Sequence, residues 1–110
     1  MIINSYENLT EITQERLSTP ELIKNIETSY ERFANNNIIV VLTSLSNLSR
    51  SEISEFLLIS NTHRAQGHSF VIVSNKVDID SIPEELVVVP TIIEAKDIVE
   101  MEEMERDLNL

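Results

Sequence analysis

The chain holds 110 residues, 42% of them apolar, and its 19 acids against 8 bases give a formal net charge of −11. That length supports one domain around one core. The charge opposes a nucleic-acid surface, because Lys24, Arg32, Arg50, Arg64, Lys76, Lys96 and Arg106 fall on separate expected elements and form no patch, while the absence of cysteine excludes disulfides and thiolate metal sites and points to a reducing, cytoplasmic setting.

Residues Met1 to Thr10 carry Asn4, Ser5, Glu7 and Asn8 and lack the basic and apolar blocks of a signal peptide. Ile2 to Asn4 and Leu9 to Gln14 read as two short strands joined across Tyr6, Glu7 and Asn8. Thr19 before Pro20 marks a helix start, since the hydroxyl can cap and proline has no amide to leave unpaired in the first turn. Leu22, Ile26, Tyr30 and Phe33 then recur at helical spacing until Asn35, Asn36 and Asn37 break the pattern. The run Ile38 to Leu42 predicts a central strand covered on both faces. It is the longest apolar run, far short of the roughly 20 residues a membrane helix needs.

Ser49 followed by Glu52 is a capping box, opening a helix through Ile53, Phe56, Leu57 and Ser60 that Gly67, the only glycine, is placed to end. Phe70 to Val73 predicts another buried strand, Ser81 to Leu86 a short helical turn, and Leu86 to Val89 a last strand stopped by Pro90. Thr91 and Glu94 make a second capping box, for a final helix whose apolar stripe runs through Ala95, Ile98 and Val99 and on to Met101, Met104 and Leu108. Glu84 to Asp107 holds seven Glu and two Asp against Lys96 and Arg106, and reads as a solvated helix face. The expected fold is therefore α/β: a mixed sheet, in the order strand, strand, helix, strand, helix, strand, short helix, strand, helix, making one domain over residues 1–110.

Several chemical motifs fail on their own requirements. Asn75, Lys76, Val77 and Asp78 resemble the guanine-reading motif of GTPases, yet a chain with one glycine and no G-K-S/T cannot build the phosphate-cradling loop. Asp78, Asp80 and Ser81 have the opening spacing of a calcium loop, but Pro83 stands where its glycine is required. His63 and His68, near a helix end and a strand start, are expected to cap a carbonyl and to face solvent, with no Ser or Asp at a recognised triad spacing. Met101 and Met104 are expected to pack in the core. No catalytic residue, cofactor or metal ligand is expected.

The element order, with Leu17-Ser18-Thr19-Pro20-Glu21-Leu22 before the first helix, Ile38 to Leu42 leading to the Ser49 helix, and Phe70 to Ser74 behind Gly67, resembles a STAS domain. This is the fold of bacterial anti-sigma factor antagonists and of the soluble tails of sulfate transporters. In that family the loop entering the second helix reads Asp-Ser-Ser/Thr-Gly, and a partner kinase phosphorylates the residue before the glycine to switch binding off. The corresponding stretch here is Ser49-Arg50-Ser51-Glu52, in which Ser51 falls at the phosphorylated position, Glu52 replaces the glycine and Ser49 the aspartate. A carboxylate beside a phosphate costs Coulomb energy, and Ser49 already serves as a helix cap. The segment from Val89-Pro90-Thr91 to Met104-Glu105-Arg106-Asp107-Leu108 also resembles short bacterial proteins labelled ribonuclease Z. The H-x-H-x-D-H metal cluster of that nuclease is absent, so this resemblance implies association with it and not its activity.

The expected function is that of a non-enzymatic regulatory module that binds a protein, which the resemblance implies to be an anti-sigma factor or kinase-like. Ser49, Arg50, Ser51 and Glu52 are the candidate partner-binding or switch loop, within a surface from Ser46 to Glu55. The alternatives are a small-ligand-sensing domain using the same loop, or an inactive accessory of a tRNA-processing nuclease. A homodimer is expected as well: STAS sheets commonly carry their helices on one face, whereas the strands here are apolar at successive positions, so the second face needs cover. In a monomer the carboxyl-terminal helix would have to fold back over it.

Overall fold

The opening segment pairs with itself: β1 (Ile2–Ser5) and β2 (Leu9–Thr13) run antiparallel with Ile3 opposite Ile12, and Tyr6 N–H donates to Leu9 C=O at 2.7 Å to close the turn. The structure is a computed structural model that describes residues 1–42, 48–77, 80 and 82–108. Helix α1 (Thr19–Ser29) starts one residue earlier than the Thr19 cap implies. Ser18, extended at φ −67° and ψ 163°, is the cap, its hydroxyl accepting from Glu21 N–H at 3.3 Å. Thr19 is thereby free to be buried, and a 3-10 turn over Tyr30–Arg32 then carries Phe33 into the core.

Asn37, expected as part of a helix-breaking run, instead begins the central strand β3 (Asn37–Val41). Its buried side chain replaces turn hydrogen bonds with tertiary ones, donating to Asn8 C=O at 3.0 Å and accepting from Ser69 N–H at 2.8 Å. The helix expected from Ser49 is two helices, α2 (Arg50–Ser54) and α3 (Leu57–Ala65), separated at Glu55 and Phe56. Phe56 is fully buried at the break. Gly67 ends α3 as its sequence position implies, with φ +87° and its N–H donating to Arg64 C=O at 3.0 Å. Strand β4 (Phe70–Val73) has the expected bounds, whereas β5 is only Val88–Val89, because Leu86 turns into the core and closes a turn with Pro83 C=O at 3.0 Å. Ser46, Asp78 and Ser81 lie outside the described residues.

The sheet order is β1-β2-β3-β4-β5, with β2 to β5 parallel, so the fold is a mixed α/β sheet with β3 at its centre. Residues alternate between two cores. Ile12, Ile38, Val40, Phe70 and Ile72 face Leu22, Ile26, Phe33, Ile53 and Phe56, on the side of α1, α2 and α3. Leu9, Ile39, Val71 and Val73 face the other way, against Ala95 and Val99.

Those last two residues belong to α4 (Ile92–Leu108), whose start is capped by Thr91 Oγ1 accepting from Glu94 N–H at 3.2 Å. The helix lies across the second sheet face. It is this helix that withdraws the successive apolar positions of β3 and β4 from water, so the dimer argument loses its premise: no second copy is needed there.

The far half of α4 corrects a second expectation. Met101, Met104 and Leu108 are 53%, 64% and 82% exposed and continue no core stripe. The face begun by Ala95 and Val99 continues instead through Glu102, Glu103 and Arg106, spaced three and four residues on. Arg64 pairs with Glu102 at 3.1 Å, Asn8 donates to Glu103 at 2.9 Å, and Arg106 donates to Ser69 Oγ at 3.1 Å and Asn37 Oδ1 at 3.2 Å. A further bond joins Asn37 Nδ2 to Glu103. The helix is thus held by apolar packing at one end and a polar seam at the other. Among the described residues, no helix is long and apolar enough to cross a membrane.

Candidate partner-binding site

Helices α1 and α2 both begin at the carboxyl-terminal edge of the parallel strands, which places Ser49 to Glu52 on that edge. The capping box is complete: Ser49 Oγ accepts from Glu52 N–H at 3.1 Å, and Ser49 N–H donates to Glu52 Oε1 at 3.2 Å. The Ser49 hydroxyl also lies 3.1 Å from that carboxylate. Arg50 and Ser51 project into solvent between the two capping residues. Ser49 and Glu52 therefore set the backbone, and Arg50 and Ser51 are the side chains offered outward.

This division gives a direct prediction. Ser49→Ala loses the cap and should lower stability by about 1 kcal/mol, whereas Ser51→Ala should leave the melting temperature and partner affinity unchanged. Thermal melts and a binding titration of both variants test it. A binding defect in Ser51→Ala with an unchanged melt would establish Ser51 as a contact.

From Glu55, the cap at the end of α2, a groove of about 260 Å³ runs between α1 and α3, lined by Glu27, Tyr30, Glu55, Leu58, Ile59 and Thr62. It continues past Glu27 and Glu55 to Pro20, Ile23 and Lys24, near the start of α1. The floor is apolar and the rim carries two carboxylates. Leu58 stands at this groove 76% exposed, a large apolar side chain kept in water beside Ile59, which is buried. The loop residues alone do not reveal this surface. Its sequence signal is the run Phe56-Leu57-Leu58-Ile59, since four successive apolar residues span more than one helix face and one of them must turn away from the core.

The inner end of the groove is fixed by a buried histidine. His63 meets a carbonyl, as its place near a helix end implies, but a distant one and while fully buried: Nε2 is 2.6 Å from Asn36 C=O and Nδ1 2.5 Å from the Tyr30 hydroxyl. A carbonyl only accepts, so Nε2 carries the proton, and neutral Nδ1 accepts from Tyr30. The Tyr30 hydroxyl is also 3.4 Å from Gln66 Oε1. Burial pushes the His63 pKa below its ordinary value, and the nearby His68 and Arg64 charges push it the same way. Burial also raises the Tyr30 pKa. With both ring nitrogens engaged, His63 holds Tyr30 in the groove wall and ties α3 to the turn before β3. Among the described residues, no three His, Cys, Asp or Glu side chains are grouped to hold a metal ion. No protein-family model matches the chain, and no curated protein is found to be similar to it.

Proposed function

We propose that this chain is a non-enzymatic, cytoplasmic protein-binding module of regulatory type, resembling the anti-sigma factor antagonists. Its partner, an anti-sigma factor or kinase-like protein, docks on the edge formed by the start of α2 and the groove between α1 and α3. The observation that carries this reading is Leu58, an exposed apolar residue over an apolar groove whose rim bears Glu27 and Glu55. A side chain of that kind is an anchor for a partner, and the carboxylates around it favour a partner segment with basic residues flanking an apolar one. Arg50 and Ser51 extend the surface along the same edge, and the cysteine-free composition suits the cytoplasm.

Leu58→Glu tests the proposal. It should weaken partner capture by roughly tenfold or more, as expected for an interface anchor, while leaving the melting curve unchanged because the side chain is exposed. Undiminished capture of the same partner by the variant would rule out the groove. Recovery of a small molecule retained through purification, with no protein partner, would favour the ligand-sensing alternative.

A further inference from the structure

The outer face of α4 is a second apolar surface, on the opposite side of the sheet from the groove. Ile93, Met101, Met104 and Leu108 follow one another at helical spacing and are 75%, 53%, 64% and 82% exposed. Asp97 completes the same line. This line lies about 180° around the helix from the face that Ala95, Val99 and Arg106 turn to the sheet. Helix α4 is thus apolar along two opposite faces, and only one of them is packed.

The charge on this outer face has one sign. Both basic side chains of the helix are drawn to the sheet side: Lys96 pairs with Glu11 at 3.4 Å, and Arg106 is bonded to Ser69 and Asn37. The residues left beside the exposed stripe are all acids. Glu94 and Glu105 lie along one flank, Glu100 and Asp107 along the other, and all four are exposed.

We propose that the outer face of α4 is a docking site for a basic amphipathic helix of a protein partner, separate from the groove between α1 and α3. A helix with an apolar ridge bordered on both sides by Lys or Arg matches the stripe and its two acidic flanks together. The flexible thioethers of Met101 and Met104 adapt to the shape of such a ridge. A second copy of this chain fits poorly, because it would set acidic flank against acidic flank. An anionic membrane is repelled by the same acids.

The test is an NMR titration of the full chain with a synthetic amphipathic leucine–lysine peptide, alongside a scrambled peptide of the same composition and phosphatidylglycerol vesicles. The amphipathic peptide should shift the signals of Ile93 to Leu108. Read at the α4 signals, the combined variant Met101→Ser, Met104→Ser and Leu108→Ser should bind it roughly tenfold more weakly, with no change in melting temperature, whereas Leu58→Glu should leave the α4 shifts and their affinity unchanged. That last result separates this site from the groove. Equal binding of the scrambled peptide would reduce the surface to charge alone and overturn the proposal. So would vesicle binding through the stripe, a self-association abolished by the triple variant, or shifts confined to α1 and α3.

Discussion

His63→Ala is expected to destabilise the domain by about 4 kcal/mol, a large share of the 5–15 kcal/mol typical of such a domain. The ring is fully buried, packed edge-on against Tyr30 and Phe70 with centroids 5.5 and 6.3 Å away, so its removal opens a cavity in the core. Deletion also leaves Asn36 C=O without this donor and leaves the Tyr30 hydroxyl only its longer contact with Gln66 Oε1. Both groups are half-buried, so water recovers part of the roughly 1–3 kcal/mol that a fully buried unpaired group would cost, and the cavity carries most of the effect. A drop in melting temperature of roughly 15 °C or more should follow. The effect has a pH signature as well. The folded state holds the His63 pKa below its ordinary value of 6.5, so the unfolded chain takes up a proton that the folded chain resists. The His63 contribution is complete above about pH 6.5 and is lost as pH falls toward the lowered folded value. Wild-type protein should therefore lose stability as pH falls below about 6.5, and His63→Ala should lose less over the same range. An unchanged pH slope in the variant would show that His63 is not the group responsible.

Asn37→Ala is expected to cost about 3 kcal/mol, since it breaks the seam between α4 and the sheet rather than the apolar core. One side chain there receives Ser69 N–H and an Arg106 N–H on its oxygen and donates to Asn8 C=O and Glu103 from its nitrogen. Every one of those groups loses a partner when the amide is removed. Asn37→Asp should be nearly as harmful, because it keeps the acceptor but sets a second carboxylate against Glu103 in place of a donor. In both variants hydrogen exchange should rise first in α4. If Asn37→Asp melted like the wild type, the bond to Glu103 would contribute nothing to holding the helix.

Legibility in the sequence tracks the range of the interaction. The Ser49–Glu52 box, the Gly67 terminator and the apolar runs of β3 and β4 are readable because a cap or a buried strand declares itself within a few residues. The first cap slips from Ser18 to Thr19 because adjacent hydroxyls present the same local chemistry, and only burial of Thr19 decides between them. Asn37 reads as a helix breaker because its true partners, Ser69, Glu103 and Arg106, are distant in sequence. The Met101, Met104 and Leu108 stripe reads as core because helical spacing identifies a face without saying which way it points. The inward face is marked by Glu102, Glu103 and Arg106, which look like surface residues until each is seen to have a partner. At the candidate site the loop is legible and the groove is not, since a groove depends on how α1 and α3 sit beside each other.

The most direct test of partner binding through the α1–α3 edge is a hydrogen-exchange footprint of the full chain with and without its captured partner. Protection confined to Pro20–Tyr30 and Arg50–Thr62, reduced in parallel by Leu58→Glu, is the predicted result; protection lying elsewhere, with those segments unchanged, would contradict it.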